Sequence, residues 1–552
     1  MKYLNYKYKT SVFQIGFFLL ATLLFACKKN EVELKDPYAN GKESLGIQFR
    51  SKAPSPAIAS SGDVVDVNIR GLLKYKDKFK LYVNELEAEV LNYSDSTLQF
   101  KVPLNASTGG IWVTVDDASL DNQTFFGPTL QIAGKTSLDA GFQVVNGSNY
   151  TIYDILRLAS GGYILAGAFT DFENKATKDL PVGNIAQINA GGAVETTLKF
   201  GIGANYLLNS AERISSGAQN GKFLIAGNFS SFNTKRPNRA NINSLTRLNV
   251  DGTLDSTIID VVNATPNDPS KNRDTVPSFN GGVQGTIKKI FTFNDQVYAV
   301  GNFDYYLRAF YERSTYDAKV YDRVLMRQMV RMDMDGSMDQ TFHYNAATKQ
   351  SPNGANGIIN DAIQLPDGKL ILAGTFTSFN GISRNRLVRI NLDGSVDATF
   401  NIGTGADDEI TSITYNATTK KILVAGPFKT FNGQPRTGVA MLETDGSLTA
   451  GFTFPSLSGG IVNYAGQLNN GKIIVAGSFN KYRDILRQGF MVLNTDGTLA
   501  SGYNNTGVFQ GTIEKMIETT STAGNPAIIL VGNIFRFDNI PAKNIIRVEL
   551  LN

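Results

Sequence analysis

The sequence predicts an all-β protein: an immunoglobulin-like β-sandwich followed by a seven-bladed β-propeller that is closed by an N-terminal strand. Three observations lead there. Apolar residues come in short runs or alternate between turn signals, with no sustained helical period. A unit of about 50 residues recurs through the C-terminal three quarters of the chain, a period of propellers and arrays. The two ends of that array complement one another.

Residues 1–27 come before any fold. Lys2, Lys7 and Lys9 give a positive start, and Val12 to Phe25 is an apolar run too short to span a membrane comfortably. This is the pattern of a secretory signal. Cys27 after Ala26 resembles the lipobox of bacterial lipoproteins, which implies a mature chain beginning at a lipidated Cys27 and anchored in the outer membrane. The alternative is a cleaved signal with an incidental cysteine. As the only cysteine, Cys27 leaves no internal disulfide and no thiolate metal site. Residues 28–43 read as a polar tether. Glu31, Glu33 and Asp36 loosely resemble the acidic surface-export signals of Bacteroidetes lipoproteins. Cell-surface and periplasmic orientations both stay open.

Residues 44–132 lack the repeat. Val65, Val67 and Ile69 alternate, followed by Leu81 and Val83, by Leu98, Phe100 and Val102, and by Ile111, Val113 and Val115. Short alternating strands with turn signals every ten or so residues indicate a β-sandwich. The segments Ser96 to Pro103 and Thr108-Gly109-Gly110 resemble TIG-type immunoglobulin-like domains, which implies a spacer or interaction module. Trp112, the only tryptophan, is out of phase with its neighbours. It is either an exposed platform or packed against the propeller, the second being the expectation.

The propeller covers residues 133–552. Its plainest copy spans residues 358 to 400. Ile359, Ile363 and Leu365 share one strand face, Pro366-Asp367-Gly368 is a turn, and Leu370 to Gly374 is apolar on both faces. Leu387 to Ile390 makes a third strand, and Asp393-Gly394 turns into a fourth. The second-strand glycine recurs at Gly167, Gly227, Gly301, Gly374, Gly426, Gly477 and Gly532. The last copy ends after three strands, while Ser137 to Phe142 matches the fourth-strand segment Ser395 to Phe400. A strand from the front therefore completes the last blade and leaves no open edge. The stretch resembles the delta-60 repeat β-propeller family, which implies the fold and little about chemistry.

In such a meander, the turns between strands one and two and between three and four share one face. Here they are tight, and the long insertions fall on the other face. The longest runs from Asp304 to Arg327, beside an enlarged connection at 259–285. It holds Tyr305, Tyr306, Arg308, Tyr311, Arg313, Tyr316 and Tyr321, a set suited to sugar rings, anionic polymer or a partner protein. The other reading is a small core that holds the loop down. A second candidate is the channel mouth, where first-strand alignment places Asp154, Lys289, Asp361, Thr411, Tyr464 and Lys515. Asp154, Asp361 and Tyr464 are the proposed ligand residues of that ring, and solvated channel lining is its plain alternative.

Other signals are discounted. The Asp-Gly loops near Asp335 and Asp251 suggest calcium loops only briefly, because the copies keep that pattern at a hairpin turn. His343, the only histidine, removes histidine-based metal sites. Asp407-Asp408-Glu409 reads as a solvated loop. A formal charge of +4 over 552 residues gives no nucleic-acid footprint. The expectation is a non-catalytic, monomeric, lipid-anchored outer-membrane protein without cofactor or metal, binding a glycan. The glycan rests on resemblance to the domain plan of Bacteroidetes glycan-binding lipoproteins. An envelope-protein scaffold is the alternative, and a polysaccharide lyase or glycosidase comes third.

Overall fold

A computed structural model describes residues 45–76, 78–117, 120–177, 181–234 and 242–551. The expected signal, Cys27 and the tether lie outside the described residues.

In the N-terminal domain eight strands pair in the order Gln48–Phe49, Val64–Arg70, Thr97–Lys101, Leu86–Tyr93, Phe79–Val83, Gly109–Asp117, Leu120–Ile132, Ile58–Ala59. Every second residue of Val64–Arg70 (Val65, Val67 and Ile69) is at 0% exposure. These residues share one core with Leu81 and Val113 from further along the strand order, so the sheet folds back on itself around a common interior. Trp112 finds its ring partner inside this sheet. It stacks on Tyr82 across the strand pair, with centroids 4.1 Å apart.

The C-terminal domain is propeller-like. Among the described residues, larger antiparallel sheets of three to five strands follow one another along the chain, opening with Ile152–Arg157, Leu208–Arg213, Gly282–Phe293, Ile359–Gln364, Ser412–Asn416, Val462–Gln467 and Gln510–Thr520. Each first strand touches the next, and the seventh touches the first. The second strands Tyr163–Gly167, Phe223–Gly227, Leu370–Gly374 and Ile473–Gly477 are buried along their whole length. The recurring glycine has a local cause. A Cβ on Gly374 would sit 2.0 Å from the Ile358 carbonyl oxygen, and one on Gly532 would sit 2.0 Å from that of Thr512. The last sheet is completed from the front of the chain, with Val548 paired to Leu138 and Leu550 to Thr136.

The fourth strands differ from expectation. Regular ones occur only in the first and last sheets; elsewhere the segment makes single bridges such as Ile390 to Val396 and Leu442 to Leu448. A side-chain bond takes over from the ladder in several copies. Nε of Arg389 donates to Asp397 at 2.8 Å, and Nε of Arg247 donates to Asp255 at 2.6 Å. Arg389 also reaches the Thr444 carbonyl of the following sheet at 2.5 Å, tying neighbours together. The Asp-Gly loops are turns: Oδ1 of Asp335 and of Asp393 accepts the amide two residues on, at 2.8 and 2.9 Å.

The two domains are docked. The Thr108 amide donates to the Asn505 carbonyl at 2.8 Å, Asn505 Nδ2 donates to the Ile132 carbonyl at 3.1 Å, and Lys481 pairs with Glu85 at 2.9 Å.

Candidate functional site

The strand Gln296–Ala309 runs past its sheet and turns back as Tyr321–Leu325, with Gly282–Phe293 lengthened beside it. The enlarged connection forms a hairpin, Ser256–Asp260 with Arg273–Pro277. The two insertions brace each other. The Val262 amide donates to the Ser314 carbonyl at 2.8 Å, and Lys319 pairs with Asp274 at 2.8 Å with both side chains almost wholly buried.

This platform divides the residues expected there. Tyr306 is buried, and its hydroxyl donates to the Gly336 carbonyl at 2.6 Å; burial pushes its pKa up to about 12. The ring lies in the core that the second and third sheets share, with Leu224, Ile287 and Val330. Tyr311, Tyr316 and Tyr321 are half-buried, and burial raises the pKa of Tyr311 and Tyr321. Arg308 is held by Asp335 at 3.1 Å. The outward group is Tyr305, with the exposed Arg323 guanidinium 3.9 Å from its ring centre, together with the exposed Arg313 over Phe310 at 4.8 Å. Cation–π contact fixes planar donors beside an aromatic face.

The channel is built by a repeated irregularity. First strands skip one residue of register at the same place, between Ile152 and Asp154, Leu208 and Ser210, Ile287 and Lys289, Ile359 and Asp361, Val462 and Tyr464, and Ile513 and Lys515. A bulge of this kind re-aims a side chain, so two consecutive residues are delivered to the channel. The skipped residues, among them Tyr153, Asn209, Lys288, Asn360 and Glu514, line a mouth of about 300 Å³. The residues that follow them, Asp154, Ser210, Lys289, Asp361, Tyr464 and Lys515, line a second cavity of about 270 Å³. Thr411 lines the first cavity, and Lys289, Asp361, Ser412 and Glu514 line both.

Much of this polarity is used up. Inner strands are sheet edges whose free amides and carbonyls need partners. Asp154 accepts the Ala211 amide at 2.8 Å and Lys515 Nζ at 2.5 Å; Asp361 accepts the Ile413 amide at 3.0 Å and lies 3.5 Å from Lys289. Asn209 and Asn360 donate to the carbonyls of Ile287 and Ile410 on the next inner strand, at 2.8 and 3.0 Å. Asp154 at 2% exposure and Tyr464 at 3% are buried. Burial also raises the Tyr464 pKa. Asp154 ties its strand to the next inner strand, whereas Asp361 keeps partial access to the cavity. Glu212, missed in the sequence, adds a carboxyl whose pKa burial raises to about 7, opposed by Lys515 and reinforced by Asp154. The signal for these tiers was present as adjacent polar pairs within otherwise apolar strands, such as Asn209-Ser210 and Glu514-Lys515.

A β-propeller domain family of unknown function (DUF5122) matches residues 218–257, 365–400, 419–452 and 468–499. A second domain of unknown function (DUF5008) matches residues 24–128. No curated protein matches the chain. Among solved structures, the WD40 β-propeller domain of Doa1 is similar at 11% identity and TM-score 0.40, covering 75% of this chain and 96% of that one. An auxiliary nutrient binding protein from Bacteroides thetaiotaomicron is similar at 9% identity and TM-score 0.27, covering 91% and 97%. One from Bacteroides ovatus is similar at 12% and 0.20, covering 69% and 96%.

Proposed function

We propose that the chain is a lipid-anchored outer-membrane protein, an immunoglobulin-like spacer and a seven-bladed propeller, that binds a glycan on its long-loop face without turning it over. The observation that carries this reading is the Tyr305–Arg323 pair, held outward on two mutually braced insertions. A flat ring flanked by planar donors gives a sugar both a stacking surface and hydroxyl partners. Binding on loops presented by a rigid scaffold is the usual arrangement. Asp361, the first carboxylate to consider for catalysis, has its oxygens on the Ala362 and Ile413 amides, which favours structure over turnover.

The test is retention on polysaccharide affinity gels. Tyr305→Ala and Arg323→Ala are expected to abolish retention while the melting temperature holds. Unchanged migration of both variants on every gel that retards the parent chain would remove the platform from the binding surface.

A further inference from the structure

Most of the charge in the channel is matched at contact. Lys515 Nζ lies 2.5 Å from Asp154, and Lys289 Nζ lies 3.5 Å from Asp361. Glu212, at the second cavity, accepts the Thr292 hydroxyl at 3.4 Å. Lys288 and Glu514 are different. Both line the mouth of about 300 Å³, and among the described residues neither side chain makes a hydrogen bond or an ion pair. Both keep accessible surface, Lys288 being half-buried and Glu514 exposed.

The two stand on opposite walls. Their strands, Gly282–Phe293 and Gln510–Thr520, are not neighbours in the ring: two first strands separate them one way round and three the other. The channel walls raise the Glu514 pKa by burial, opposed by Lys289 and Lys288 without contact from either. The rest of the mouth is neutral and polar. Asn209 and Asn360 are spent on the next inner strand, but Asn463, skipped in register at the same place, makes no such bond. Thr512 adds an exposed hydroxyl.

Opposite charges held apart on facing walls do not neutralise one another. Charge-assisted hydrogen bonds are the strong ones, and they gain further where protein replaces water. A small molecule with one cationic and one anionic end meets both walls at once, whereas a singly charged one leaves a wall unmet. The volume is that of a site for one small molecule.

We propose that the channel mouth binds a small zwitterion of the amino-acid class, its carboxylate on Lys288 and its ammonium on Glu514, with Asn463 and Thr512 beside it. The site goes beyond the platform at Tyr305 and shares no residue with it.

The experiment is titration calorimetry of the full chain with glycine, 4-aminobutyrate, butylamine and butyrate, with melting temperatures taken alongside. The chains compared are the parent, Lys288→Met, Glu514→Gln and the exchanged pair, Lys288→Glu with Glu514→Lys. One of the two zwitterions is expected to bind the parent at least about tenfold tighter than butylamine or butyrate, and each single variant is expected to lose about tenfold or more. The exchanged pair returns one charge to each wall and is expected to recover binding. No heat with either zwitterion, equal affinity for butylamine or butyrate, or unchanged affinity in either single variant would overturn the site. Loss in the single variants with a lowered melting temperature and no recovery in the exchanged pair would overturn it too, by marking both residues as structural.

Discussion

Nε of Arg547 donates to Oδ2 of Asp139 at 2.6 Å, joining residues 408 apart in the chain. Both side chains are almost wholly buried, at 3% and 4% exposure. The same carboxylate accepts the Thr522 amide at 3.0 Å, and Nη1 of Arg547 reaches the Ala190 carbonyl of the first sheet at 2.6 Å. Last sheet, closing strand and first sheet are therefore held by one bond network.

Removing one partner leaves a buried charge uncompensated. Asp139→Asn and Arg547→Met are each expected to lower stability by about 3–5 kcal/mol. The double variant should cost less than the sum of the two, because one deletion already breaks the pair. Urea unfolding of the three variants measures both effects; strict additivity would contradict the network.

Adjacent tyrosines on the copy-three insertion should separate cleanly. Tyr306→Ala empties a buried site and strips the Gly336 carbonyl of its donor, so a loss of about 3–5 kcal/mol is expected. Tyr305→Ala should change stability by less than about 1 kcal/mol, as a part-exposed ring in one cation–π contact. Thermal melts of the two variants check the contrast.

His343 should give stability a pH signature. The ring is buried near Phe342 and Phe379, and burial pushes its pKa down to about 4 from an ordinary value of 6.5. Between those values the unfolded chain binds the proton and the folded chain does not. Stability contributed by the neutral ring is whole above pH 6.5 and falls as pH drops toward 4, by about 3 kcal/mol. Subtracting the pH profile of His343→Gln from that of the parent should isolate this window. Parallel profiles would refute it.

In the channel, Asp361→Ala deletes the acceptor for the Ile413 amide and the counter-charge of Lys289. A loss of about 1–3 kcal/mol is expected, read as a shifted urea midpoint at constant slope.

The repeat, its closing strand and the strands of the N-terminal domain were legible because period-two apolar patterns and Asp-Gly turns are local signals. Val65, Leu98 and Leu370 are buried where alternation and apolar runs place them. The Arg–Asp bonds were not legible. Arg389 and Asp397 look like a strand residue and a turn-side carboxylate until the backbone sets them 2.8 Å apart. The channel was half-read: Asp154, Asp361 and Tyr464 do line one cavity, but the bulge that doubles the tiers leaves no mark in a count of period two. Tyr305 and Tyr306 were read alike for a similar reason. Composition describes a loop, and only strand register shows which of two neighbouring rings turns inward.

The pairing of Val548 with Leu138 also sets the order of events at birth. Synthesis proceeds from the N-terminus, so the segment at Thr136–Leu138 emerges long before the strand Ile545–Leu550 that receives it. Six sheets can assemble while that early strand waits single. The last sheet is complete only once Ile545–Leu550 has been made, so its closure follows the folding of the sheets between rather than guiding it.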